Sequence, residues 1–394
     1  MKTGRFRNAI FGVLLFGVGV CAGQSASAQS ADEIIGAYNQ AQNGGSLAAR
    51  TSAAEALGAF AVANPTRDDA YLLVYEAGQT LCRLDQCIKA KPLTEWLSTK
   101  EGGSTDVDPS DVAVLIALVD WTEKPRGKQR KALDKALAAI VDRAPSLLSV
   151  AAFQRRYGAD VGSQSNWGRT SQSAGEAAKH FEPYKDLIGQ QWSSARTSEL
   201  AARFNDKRDR LAVLDMAKHD RLLRDMIVEV FQKEGDRPDW MDEHRYRAEA
   251  WTMAMEAYFR SEKTRATADK IRQEVDEILG DFAGPTEWPE TEEEKPDTQK
   301  LPFCGGTFNM KPALQYPRAA TERGLYGAAL MKITITNGEV SDVEALAAVP
   351  FEGFKASAAE TISKWKWVSN DPGVGKTCGL DRENIILPLT FALD

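Results

Sequence analysis

Residues Gly327 to Ala348 read GAALMKITITNGEVSDVEALAA. Two β-rich runs flank Asn337-Gly338, and a two-residue hairpin turn needs positive φ at both positions, which Asn and Gly tolerate best. The stretch is expected to form a β-hairpin. Downstream, FKASAAETISKWKW sets Phe354, Ala358, Ile362 and Trp365 near one face of a helix. ENIILPLTFAL then closes the chain as a strand. Strand, strand, helix, strand is the order of one small α+β sandwich.

Upstream the period changes. Residues 31 to about 282 read as helix after helix, with no competing strand-like alternation. In DAYLLVYEAGQTLCRL, Tyr71, Leu72, Tyr75 and Leu81 fall on one side, and PSDVAVLIALVDW starts behind the cap-like Ser110. LAVLDMAKHDRLLRDMIVEVF carries the clearest stripe, through Leu211, Leu214, Leu222, Leu223, Met226, Ile227 and Val230. Short polar connections suggest stacked helical hairpins of the solenoid kind, without a fixed repeat length. At FAGPTEWPETEEEKPDTQKLP, prolines and carboxylates concentrate into a stiff, self-repelling spacer. The expected layout is a signal peptide at 1–28, an all-α helical-hairpin domain at 29–282, a linker at 283–302 and a small ββαβ domain at 303–394: an α+β multidomain chain.

The 394 residues carry a formal charge of -7 and no basic cluster, which sets nucleic acid aside, since its phosphates demand Lys and Arg. MKTGRFR, an apolar run over Ala9 to Gly23, and Ala26-Ser27-Ala28 before Gln29 form the three parts of a cleaved export signal. The run is shorter than the roughly 20 residues that cross a bilayer, though an uncleaved anchor is the alternative. Export to an oxidising compartment suits the four cysteines that would remain, as two disulfides. The nearest pairing is Cys82 with Cys87 and Cys304 with Cys378. A zinc site competes, but LCRLDQC lacks a second nearby ligand pair.

No chemistry-bearing motif stands out. Asn370 to Cys378, NDPGVGKTC, ends like a phosphate loop, yet the first glycine of that motif is missing and a strand rather than a helix follows. It reads as a turn. Of the three histidines, His219 borders an apolar stripe and His244 sits among acids in MDEHR; both are read as helix residues, not ligands. Trp96, Trp121, Trp192, Trp240 and Trp251 are read as filling between helices. The expectation is no enzyme, no metal and no cofactor.

The C-terminal order QYPRAATERGLYGAALMKITITNGEV, a helix and then WKW resembles the TonB C-terminal domain family. The resemblance runs through Tyr316-Pro317, Ala319-Ala320, Gly324, Gly327, Asn337-Gly338, Val340, Ala359, Trp365 and Trp367, and covers about 303 to 394. Pro317 sets φ before a short helical turn, Gly324 can stop that turn, and Gly327 can begin a strand where no side chain fits. Trp365 and Trp367 are expected to seal opposite parts of the small core. Cys304 and Cys378 lie outside the general family pattern and would tie the strap entering the domain to the loop before its last strand.

The resemblance implies a domain that captures a segment of an outer-membrane TonB-dependent receptor, or another periplasmic protein, by adding a strand to its sheet. The implied partner-binding residues are Gln315 and Tyr316 together with Asn384, Ile385, Ile386, Leu387, Leu389 and Phe391, with Pro388 turned from the paired side. The first expectation is thus a periplasmic interaction module. The alternative is an inner-membrane-anchored energy transducer for siderophore or nutrient uptake, working with the ExbB/ExbD motor only if the anchor is kept. The chain departs from a classical transducer: no histidine precedes His180, and helices replace the long proline-rich rod. Dimerisation by edge pairing stays open.

Overall fold

The structure is a computed structural model that describes residues 30–100, 104–163, 166–235, 237–261, 265–280 and 301–392. The export signal at 1–28 and the spacer, apart from Leu301 and Pro302, lie outside the described residues. The chain divides into two compact units, Met1–Ser104 and Thr105–Asp394.

The first unit holds α1 (Ala31–Gln42), α2 (Leu47–Ala63), α3 (Ala70–Arg83), a 3-10 turn (Cys87–Ala90) and α4 (Lys91–Ser98). Ser30 opens α1 with a reciprocal capping box to Glu33. The buried face of α3 runs through Ala70, Val74, Ala77 and Leu81, so Tyr71 and Leu72 sit beside it rather than on it. Gly58 of α2 allows close approach: a Cβ there would lie 2.8 Å from Leu93. Cys82 and Cys87 form a disulfide that ties the last turn of α3 to the 3-10 turn.

The second unit begins with α5 (Pro109–Glu123), α6 (Gly127–Ala138), α7 (Leu147–Ser163), α8 (Trp167–Phe181), a 3-10 turn (Glu182–Tyr184), α9 (Gly189–Lys207), α10 (Arg210–Glu234), α11 (Asp239–Ser261) and α12 (Arg265–Leu279). Consecutive helices pack on one another, as short connections require. The cap of α5 is Asp108, which accepts from the Ser110 N–H at 2.8 Å, with Pro109 at the first helical position; Ser110 itself lies inside. In α10 the buried face is Val213, Met216, Ala217, Asp220, Leu223 and Ile227, and Leu211 is 60% exposed. Of the expected stripe Leu223 and Ile227 are buried, and the buried face lies one step around the helix because it includes His219 and Asp220.

The same unit ends in a five-stranded antiparallel sheet. Its strands are β1 (Gly306–Asn309), β2 (Gly327–Thr336), β3 (Glu339–Val349), β4 (Lys366–Ser369) and β5 (Arg382–Phe391), in the order β1-β4-β3-β2-β5. A short helix α13 (Arg318–Thr321) precedes β2, and α14 (Gly353–Ile362) joins β3 to β4. The expected hairpin is β2–β3, with Asn337 and Gly338 at φ 52° and 78°. Gly324 takes φ 61°, and a Cβ on Gly327 would meet the Phe354 ring at 2.5 Å.

Both faces of β2 are covered. Ala329, Met331, Ile333 and Ile335 form one buried cluster with Phe354, Ala358 and Ile362 of α14. Ala328 and Leu330 point the other way along the pleat and are equally buried. On that side α11 packs against β2, β3 and β5. Tyr258 of α11 meets Tyr326 edge-on at 5.1 Å, and Ser261 donates to the Tyr326 hydroxyl at 2.9 Å. The sheet is therefore the middle layer of three.

Candidate functional site

A sheet with both faces covered can still be reached along its edges. Among the described residues β1 and β5 are those edges, and they differ. β1 has four residues and is fastened from outside: Cys304 and Cys378 form a disulfide, the Cys304 N–H donates to Gly379 O (2.9 Å), and the Gly379 N–H donates to Pro302 O (2.8 Å). Phe303 lies against Trp367, whose Nε1–H donates to Cys304 O. β5 has ten residues and pairs with β2 alone.

The backbone of β5 can be sorted by Pro388. A proline fits an edge strand with its nitrogen on the open side. In an antiparallel ladder, residues alternate between pairs that exchange both hydrogen bonds and pairs that exchange none. Pro388 lies opposite Leu330, so Ile386 (opposite Lys332) and Thr390 (opposite Ala328) share its orientation. The groups turned outward are then the N–H of Ile386 and Thr390 and the carbonyls of Ile386, Pro388 and Thr390. Ile385, Leu387 and Leu389 turn their backbone to β2 and their side chains, half-buried, toward the α14 cluster. Pro388 is named from sequence only for its turn away from the paired side, and Thr390 is not named, because side-chain type does not report which way a backbone group points.

Asn384 stands apart. Ile333 pairs with Ile385 but Ile335 with Arg382, and Asn384 takes φ 58° in the extra length. This is a β-bulge, tolerable because Asn accepts the left-handed region, and it ends the regular ladder at Ile385. Ile386 is 41% exposed.

The Gln315-Tyr316 segment meets the far end of the same strand. The Tyr316 ring stands edge-on to Phe354 and to Phe391, at 5.7 and 5.8 Å. Its hydroxyl donates to the Leu325 carbonyl, and burial pushes its pKa up to about 12. Gln315 is exposed, with its carbonyl accepting from Ser357 of α14. Phe391 is buried in the core, so structure brings Tyr316 and Phe391 together as packing partners.

Residues 370–378 are a closed turn. The N–H groups of Lys376 and Thr377 donate to Gly373 O at 2.9 Å, and that of Gly375 donates to Cys378 O at 2.9 Å. With donors spent on the loop's own carbonyls and the Cys378 sulfur bonded to Cys304, no phosphate cradle forms. Trp365 and Trp367 lie on the same side, both against Phe308, at 6.2 and 5.0 Å. Residues two apart in an extended chain share a face, so they do not seal opposite parts of the core.

In the helical part a cleft of about 770 Å³ is lined by residues including His180, Trp192, Arg196, Glu199, Lys218 and His219. Each lining histidine holds a serine that is not itself in the lining: Ser149 Oγ to His180 Nε2 and Ser193 Oγ to His219 Nε2, both 3.0 Å. They look like halves of a nucleophilic dyad, a juxtaposition invisible in sequence. The partner on the other ring nitrogen of His180 is the Val141 carbonyl, which makes Nε2 the acceptor. Burial holds both imidazoles neutral, His219 down to about 3, and both serines are buried. Hydroxyls that no substrate can touch serve here to satisfy buried imidazoles between α7 and α8 and between α9 and α10. Among the described residues no group of three or more His, Cys, Asp or Glu is placed to hold a metal ion, and no helix is long and apolar enough to cross a membrane.

No curated protein and no solved structure matches the chain significantly. Residues 312–382, less than a quarter of the chain, match the family described as Gram-negative bacterial TonB protein C-terminal. The match runs from the approach to Tyr316 through the hairpin, α14 and β4 to the first residue of β5, so the resemblance read from the motifs holds for this C-terminal domain.

Proposed function

We propose that the C-terminal domain is a non-enzymatic capture module that adds an extended partner segment to β5, in the service of TonB-dependent outer-membrane transport. The observation that carries this reading is the ten-residue edge strand β5, left open while the other edge is short and covalently fastened. An open edge supplies unpaired N–H and C=O groups in register, which is what strand addition uses. The family match supports the same transport context. The partner is the N-terminal plug segment of a TonB-dependent receptor or a similar extended periplasmic segment, and the helical part is its scaffold. A periplasmic location fits the two disulfides.

The test is titration of the isotopically labelled protein with synthetic receptor N-terminal segments, following backbone amides. Shifts should concentrate on Ile386 and Thr390, and Ile386→Pro should abolish them. Shifts confined to the β1 side, or unchanged binding by the proline variant, would remove β5 as the docking edge. The mature mass in fractionated cells decides between the module and an anchored transducer: a soluble species beginning at Gln29 supports the former.

A further inference from the structure

The chain is acidic as a whole, yet residues 124–135, KPRGKQRKALDK, hold six cations and one carboxylate. The expectation that no basic cluster exists fails at this stretch. Folding turns it into a surface. The helix α6 buries Leu133 and Leu137. At about 100° per residue, Lys128, Lys131 and Lys135 fall within about 60° of one another, on the side away from those leucines, and span about 10 Å. All three are exposed, as are Lys124 and Arg126 where the chain enters the helix.

The carboxylates that could neutralise this row are held by other cations. Arg130 lies on the inner side of the same helix, 15% exposed. It takes Asp134 at 2.9 Å and Asp160 through two bonds, at 3.0 and 2.8 Å. Arg156 reaches Asp134 as well, at 3.5 Å. Lys124 has Glu123 at 3.4 Å. Among the described residues Arg126, Lys128, Lys131 and Lys135 make no ion pair. One helix thus carries its neutralised charge inward and its free charge outward.

The shape of the row selects the kind of polyanion. Ala132 and Ala139, both exposed, share its side, so no bulky side chain stands between the ammonium groups and a flat surface. Three of the four free cations are lysines, point charges on flexible stems that ask for no fixed phosphate geometry. No aromatic ring lies in the row to stack a base, as single-stranded nucleic acid would use. A fluid, planar array of anionic headgroups meets all three conditions.

We propose that α6 is a membrane-surface contact: Lys128, Lys131 and Lys135, with Arg126, hold the second unit against a bilayer containing anionic phospholipid, the helix axis in the plane of the headgroups. None of the described helices is long and apolar enough to cross a membrane, and this contact would keep the chain at one without crossing it. It is independent of the reading of β5 as the capture edge.

The experiment is co-sedimentation with vesicles of phosphatidylcholine alone and of phosphatidylcholine mixed equally with phosphatidylglycerol. The protein begins at Gln29, which keeps every described residue and removes the apolar run from the readout. Binding should favour the anionic vesicles at low salt and vanish in about 1 M NaCl, where the screening length falls to about 3 Å. The variant Lys128→Gln/Lys131→Gln/Lys135→Gln should bind about 100-fold more weakly, roughly fivefold for each cation removed. Its melting temperature should be unchanged, because none of the three has a partner to lose. Lys355→Gln, exposed on α14, should leave binding intact. Equal binding to the two vesicle types, or undiminished anionic binding by the triple variant, would overturn the contact. Binding of duplex DNA with none to the anionic vesicles would overturn it too, and assign the row to nucleic acid.

Discussion

Within the second unit, the helices and the sheet bury different things. Buried charged or imidazole side chains among the described residues all lie in the helices: Arg156, Asp160, His180, His219, Asp220 and His244. Arg156 reaches Glu176 at 2.7 Å and the Ser173 carbonyl at 3.1 Å, and Arg130 holds Asp160 through two bonds of 3.0 and 2.8 Å. Around the sheet the buried side chains from Ala320 to Phe391 include no charged or imidazole group, and Thr361 of α14 is the buried polar one. Helix-on-helix packing here adds buried polar pairs to a largely apolar core. The sheet is specified by apolar burial and one disulfide, which leaves its long edge free. The two parts should therefore fail under different conditions.

Acid should separate them most. His219 is held neutral by burial, with a folded-state pKa of about 3 against the usual 6.5. The unfolded chain binds this proton first, so the contribution is whole above pH 6.5 and is lost as pH falls toward 3. The expected loss is of order 5 kcal/mol, at about 1.4 kcal/mol per unit. Denaturant titrations across that window should show it, and His219→Gln should flatten its own share of the slope. An equal slope in both proteins would mean that the imidazole is protonated in the folded state.

The second break is redox. Closing a loop of sequence separation 74 is worth about 4 kcal/mol in the chain-entropy account, against about 2 kcal/mol for the separation of 5 at Cys82–Cys87. Hydrogen exchange on the Cys304→Ser/Cys378→Ser protein should show β1 and β4 opening while α7 to α10 keep their protection. Uniform loss of protection would make helices and sheet one cooperative block.

Next is the open edge. Ile386→Pro removes an outward donor, and Leu387→Pro removes one that serves β2. The first should cost about 3 kcal/mol of capture, roughly 100-fold, with the melting temperature little changed. The second should lower stability as well. Identical behaviour of the two would show that the orientation assigned from Pro388 is wrong. The smallest effect is Asp108→Ala, which removes the cap of α5 and should cost about 1 kcal/mol, with no effect on segment binding.

Much of this was legible from neighbouring residues. Asn337-Gly338 marked its turn because positive φ is a property of those two residues. Gly324 is readable for the same reason, at φ 61°, whereas Gly327 leaves room for the Phe354 ring, a contact between distant residues. The short strands β1 and β4 are not: GTFN and KWVS carry four residues each and become strands by pairing with distant partners, β1 with β4 and β4 also with β3. The stripe of α10 was misplaced because periodicity counts apolar residues, whereas burial of His219 and Asp220 depends on Ser193 and Arg224 in space.

The sequence by itself determined the hairpin, the succession of helices, the family of the C-terminal domain and the cysteine pairing that proximity favoured. Each follows from local backbone preference, side-chain period or composition, which act within a few residues. Tertiary structure decided which edge stays open, which backbone groups of β5 face outward, that α11 covers the second face of the sheet, and that two Ser–His pairs are buried. These depend on pairings between residues tens of positions apart, where the free energy lies in burial and hydrogen bonding shared between elements.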